Sequence, residues 1–163
     1  MNDALRVTWL TGMLCLLPSL AEAQPPEQPG PPGPRLELSI SPTVITFPPA
    51  DPDVVPQIIS VPITVTYRIR QAQGLNWQLT VLASGNLMSG PSTVDITNVT
   101  WVATPAPPFR SGTLNHTVAQ VIAAGVGNVN PTATGSITFR LKNSWTYETG
   151  TYTQTIVFTL STP

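Results

Sequence analysis

Cysteine is all but missing from this chain. Its 163 residues contain one, Cys15, and a single histidine, His116. A disulfide needs two thiols, and a zinc site needs several nitrogen or sulfur ligands, so neither a covalent staple nor an ordinary structural metal is expected. Charge is scarce as well: Asp, Glu, Lys and Arg make up 9% of the residues, seven basic against eight acidic. Nucleic acid demands clustered Lys and Arg, and is excluded as a partner. Acid–base catalysis needs titratable groups gathered in one place, which so few can hardly supply. Asp95 and the many serines offer fragments of a triad, yet no Gly-x-Ser-x-Gly elbow accompanies them. His116, in TLNHTV, reads as a surface or loop residue. Asp51 and Asp53, in PADPD, fall short of the oxygens a calcium ion requires and read as a turn. The chain is therefore expected to be non-enzymatic, without cofactor or metal.

What is present begins with an export signal. Residues 1–23, MNDALRVTWLTGMLCLLPSLAEA, combine an early Arg6, an apolar run from Val7 to Leu20, the breaker Pro18 and Ala21-Glu22-Ala23. This is the pattern of a cleaved secretory signal peptide. The competing reading, an uncleaved anchor, is disfavoured because Thr8, Thr11 and Pro18 interrupt a run too short for the hydrocarbon core. Cys15 follows Met13-Leu14 where a lipoprotein signal wants small residues, so lipid attachment is not expected. Cleavage removes Arg6 from seven basic residues and Asp3 and Glu22 from eight acidic ones, leaving six of each sign and no cysteine. An exported domain of this kind must stand on its apolar core, which roughly 130 residues can build. The mature chain is expected outside the cytoplasm, with no membrane insertion.

Residues 24–34, QPPEQPGPPGP, hold six prolines and two glycines. Missing amide donors and fixed φ angles forbid helix or sheet ladder, and two collagen-like triplets are too few for a triple helix. A semi-rigid polyproline spacer follows.

From Arg35 to Pro163 the period changes to two. In IISVPITVTYRIR the apolar Ile59, Val61, Ile63, Val65, Tyr67 and Ile69 alternate with Ser60, Pro62, Thr64, Thr66, Arg68 and Arg70. Such alternation places one set inward and the other toward water. Pro62 cannot donate to a ladder, which implies a sheet edge or a bulge there. The same period runs through Trp77, Leu79, Val81 and Ala83, through Ile137, Phe139 and Leu141, and through Tyr152, Ile156, Phe158 and Leu160. Turn clusters at PPADPD, QGLN, ASGN, SGP, TPAPPF and ETG separate the runs. Thr117–Gly125 fits a short helix or a strand. The expected fold is an all-β, two-sheet antiparallel sandwich of roughly seven to nine strands.

LELSISPTVITF, VTYRIRQAQGLNWQLTVLASG, AAGVGN and GTYTQTIVFTLSTP together resemble a WxL-type domain, a cell-surface β-domain named for its Trp-x-Leu motifs. Trp77-Gln78-Leu79 matches the first motif, after an arginine-bearing strand. Phe158-Thr159-Leu160 stands where the second is expected, after Gly150-Thr151-Tyr152, with phenylalanine replacing tryptophan. The resemblance implies non-covalent association with peptidoglycan, other envelope polymers or surface proteins.

Trp77, Leu79, Phe158 and Leu160 each lie on the apolar face of a strand, so the pattern favours core over contact for them. Trp101, before TPAPPF, and Trp145 and Tyr147, in NSWTYETG, border turns and are the candidate ligand-binding residues, although such rings also plug sandwich ends. A second class is a structural subunit of a pilus-like or coat-like assembly. The proline spacer disfavours strand exchange through the N-terminus but leaves self-association through another strand open. Asn98-Val99-Thr100 and Asn115-His116-Thr117 are sequons.

Overall fold

Alternation becomes strands wherever one face can be buried. The computed structural model describes residues 33–162, so the leader at 1–23 and nearly all of the spacer at 24–34 lie outside it. Eleven strands appear in order: β1 (Arg35–Ser41), β2 (Gln57–Ile59), β3 (Ile63–Arg70), β4 (Asn76–Ala83), β5 (Leu87–Ser89), β6 (Ser92–Val94), β7 (Val99–Thr104), β8 (Gly112–Thr113), β9 (Gln120–Val126), β10 (Val129–Lys142) and β11 (Ile156–Ser161). The larger sheet runs β1-β3-β10-β7-β8, with β2 also on β10; the smaller runs β11-β4-β9; β5 and β6 form a separate hairpin. Every pairing is antiparallel. The all-β sandwich is thus observed, and the strand count exceeds expectation because β2, β5, β6 and β8 have two or three residues each. No described helix is long and apolar enough to cross a membrane.

The run from Ile59 to Ile69 is not one strand with one face, as its alternation suggested. Ile59 and Val61 are exposed, whereas Ile58, Ser60 and then Ile63, Val65, Tyr67 and Ile69 are buried. Both pieces lie on β10, with Ile59 opposite Arg140 and Ile63 opposite Ile137. Three residues separate Ile59 from Ile63 while two separate Ile137 from Arg140, so the strand carries one extra residue. A bulge of this kind exchanges the faces. Pro62 sits in it, where no ladder donor is needed. Ser60 stitches the defect, its amide donating to the Phe139 carbonyl at 2.9 Å and its Oγ accepting from the Phe139 amide at 3.0 Å.

Thr117–Gly125, left between helix and strand by its pattern, contributes to β9. An extra residue opposite Leu79–Thr80 lets Ile122 and Ala123 both face inward. Gly127, at φ +77°, then turns the chain from the smaller sheet into β10 of the larger.

Between the sheets lies one cluster built from Val65, Tyr67 and Ile69 of β3, Leu79 and Val81 of β4, Trp101 of β7 and Ile137 and Phe139 of β10. Each such side chain stabilises the fold by about 1.5 to 3 kcal/mol. Phe109, Tyr67 and Trp77 form an aromatic line through it, with ring centroids 5.8 and 5.3 Å apart. Three rings lie over glycines. Trp77 faces Gly125 and Trp101 faces Gly112 as direct cross-strand pairs, and Phe109 covers Gly135.

Candidate functional site

The expected positions separate by burial. Trp77 and Leu79 are core residues of β4. Phe158 and Leu160 are half-buried on β11 and pack against the same core. Leu160 stands directly opposite Leu79, so the two short motifs occupy neighbouring strands. Trp101 departs from its expected place at the protein surface: it is 2% exposed. Its indole N–H donates to the Arg110 carbonyl at 2.8 Å, and the ring fills the space over Gly112. A ring so covered cannot stack on a ligand, because the proline loop that follows folds back over the sheet. Phe109, in that loop, is likewise buried, and only its apolar character in the sequence hinted at this.

Trp145 is the opposite case, with 68% of its surface exposed. Exposure alone would leave a ring free to rotate, but here the turn is fixed from below. Asn143, just past β10, donates through its amide nitrogen to the Pro56 carbonyl at 2.9 Å and through Nδ2 to the Ala50 and Val55 carbonyls, both at 3.0 Å. Asp51 closes the facing loop, its Oδ1 accepting from the Asp53 amide at 2.9 Å and its carbonyl accepting from the Val54 and Val55 amides. This is the turn that PADPD predicted. Asp53 then holds the ring: the Trp145 indole N–H donates to its Oδ1 at 3.0 Å. Exposed Val54 and half-exposed Val55 belong to the same loop. An aromatic face is thus presented to solvent on a pinned turn, with a carboxylate at its edge.

Beyond Trp145 the same turn borders a shallow polar groove of about 260 Å³, lined by residues that include Ser92, Thr146, Tyr147, Glu148 and Tyr152. Ser92 hydrogen-bonds the Glu148 carboxylate, and the Tyr152 hydroxyl donates to the Glu148 carbonyl at 3.1 Å. Tyr147 is half-buried against the core, and desolvation raises its pKa, so its phenol stays neutral near neutral pH. Ring, carboxylates and hydroxyls together can stack on and hydrogen-bond a neutral polymer or peptide.

The remaining polar candidates serve turns. Asp95 Oδ1 accepts from the Thr97 Oγ1 and amide at 2.7 and 2.8 Å, capping a 3-10 turn at Ile96–Asn98. The Thr97 hydroxyl, then its amide, and last the charge of exposed His116 hold the Asp95 carboxyl below its ordinary range. Because the folded value is lowered, the stabilisation is present above the ordinary carboxylate range and disappears as pH falls through the folded value. Asp95→Asn is expected to flatten the acid side of the stability profile, measured by urea unfolding at stepped pH. Asn115 Oδ1 accepts from the Thr117 amide and hydroxyl and from the Val118 amide, and Asn98 Nδ2 donates to the Asp95 carbonyl, so both sequon asparagines are engaged locally. Among the described residues no three His, Cys, Asp or Glu side chains gather as a metal site would require.

By fold and site the chain is an all-β sandwich that displays one pinned aromatic ring. No protein-family model matches it, and neither a curated protein nor a solved structure does.

Proposed function

We propose that this is a secreted, non-enzymatic β-sandwich of the WxL type that associates with cell-envelope material, and that Trp145 is its principal contact. The supporting observation is the fixed exposure of that ring: Asp53 and Asn143 order the turn before any ligand arrives, so little conformational entropy is lost on binding. Sugar rings and peptide planes both offer surfaces that an indole can stack on, and the hydroxyl-lined groove beside it supplies hydrogen bonds. The near balance of charge fits a partner recognised by shape and stacking more than by attraction at a distance.

The test is cosedimentation of the purified protein with insoluble cell-wall sacculi. Saturable pelleting is expected, and Trp145→Ala should weaken it by roughly tenfold, equivalent to losing about 1.4 kcal/mol of contact. The ring lies outside the core, so the melting temperature should hardly move. Asp53→Ala should produce a smaller loss, since it frees the ring without removing it. Equal pelleting by wild type and Trp145→Ala would remove Trp145 from the site, and no pelleting of either would turn attention to a surface protein as partner.

A further inference from the structure

Five strands of the two sheets have an edge without a neighbouring strand, β1, β2 and β8 in the larger and β9 and β11 in the smaller. Unpaired edges invite pairing with another chain, and proteins blunt them with charge, proline, shortness or cover. β1 carries Arg35 and Glu37, the latter in an ion pair with Arg70, and Pro42 follows it. β2 and β8 are three and two residues long. β9 is covered, the Arg110 amide donating to its Ile122 carbonyl at 2.7 Å.

β11 has no charge, proline or shortness to guard it, and β1, which lies beside it across the sandwich, makes no backbone hydrogen bond to it. From Thr149 through Thr162 no residue is charged and none is proline. Its only strand partner is β4, and among the described residues no further backbone hydrogen bond reaches Ile156–Ser161. The core is also least closed beside it. Ile156, Phe158 and Leu160 of β11, and Leu36, Leu38 and Ile40 of β1, are only partly buried, whereas Val65, Leu79 and Ile137 on inner strands are 0% exposed. On the other face Val157 is 49% exposed. An apolar seam therefore runs along a strand whose outer amides and carbonyls are unpaired.

We propose that β11 pairs antiparallel with β11 of a second copy of this chain, joining the two smaller sheets into one of six strands. An extended backbone is the partner that satisfies a row of amides and carbonyls, and an uncharged strand is suited to meet itself. A two-fold axis brings identical residues together, and any charge would face its like. Centred on Phe158, the pairing sets Ile156 against the second copy's Leu160 over the seam and Val157 against its Thr159 on the outer face. Two-fold pairing is closed, so it yields a dimer and not a growing filament.

Sedimentation equilibrium of the purified protein tests this. A reversible dimer is expected, with a dissociation constant on the order of micromolar, and the amides of Val157–Ser161 should exchange hydrogen more slowly as protein concentration rises. Val157→Lys with Thr159→Lys places lysine opposite lysine at two exposed positions. This variant should be monomeric with an unchanged melting temperature. Mixing it with Val157→Glu/Thr159→Glu should restore a dimer of one copy of each. A wild-type protein that stays monomeric up to about 100 µM, exchange at β11 that ignores concentration, a paired-lysine variant that dimerises as well as wild type, or a mixture that stays monomeric would each overturn the proposal. Failure of sacculus binding would leave it standing, because Trp145 lies on a different segment of the surface.

Discussion

Replacing Trp77 with alanine is expected to lower the free energy of unfolding by about 3 to 5 kcal/mol, the cost of emptying a buried tryptophan site. That is a large part of what a domain this size possesses. The ring is 6% exposed, tilts against Tyr67 at 5.3 Å and sits on β4, the centre strand of the smaller sheet. Its indole nitrogen has no hydrogen-bond partner among the described residues, so Trp77→Phe should be much milder, losing volume but no polar contact. Gly125 supplies the sharper test. A Cβ there would stand 2.6 Å from the ring's Cζ2, and Gly125→Ala alone should destabilise by about 1 to 3 kcal/mol through overpacking. With Trp77→Ala already in place, the same methyl enters vacated space and should be nearly harmless. Urea unfolding of the four proteins in a double-mutant cycle would show this as strong non-additivity. Simple addition of the two effects would mean that the ring does not lie over the glycine.

Gly135→Ala is the second large effect, with an expected loss of about 3 kcal/mol. Gly135 is buried in β10, which both β3 and β7 flank, leaving the backbone little freedom to move aside. An added Cβ would meet Phe109 Cε2 at 2.4 Å and Cζ at 2.5 Å. Phe109 is itself 1% exposed and packs edge-on to Tyr67, so it can yield only by leaving the core. The loop from Pro105 to Pro108 would leave with it, since the Phe109 amide donates to the Pro105 carbonyl. Thermal unfolding followed by circular dichroism should show a fall on the order of 10 °C. Phe109→Leu in the same chain should recover part of it by withdrawing the ring edge. A variant that melts with wild type would contradict this packing.

These glycines show where a reading by pattern stops. Nothing local to Gly112, Gly125 or Gly135 says that an aromatic ring covers it, because each ring comes from a distant part of the chain. The burial of Trp101 is hidden from the pattern for the same reason. Its neighbourhood, a strand end before three prolines in four residues, looks like a surface turn, and only the return of Arg110 and Gly112 across β7 encloses it. Trp145 had an equally turn-like setting and stays exposed, because the segment facing it, Ala50–Val55, reaches its edge through Asp53 and leaves the face open.

The sequence by itself determined the all-β class, since a period of two in β-branched and aromatic residues has no other way to bury one face. It also favoured an inward place for Trp77 and Leu79, and put Pro62 at a sheet edge or a bulge. Only tertiary structure decided the face on which Ile59 and Val61 lie, because one bulged residue inverts every position before it. The exposure of Trp145, the burial of Trp101 and the edge at which β11 stands were settled there too. Burial and pairing depend on what distant segments bring alongside, and two-residue alternation carries no information about the neighbour.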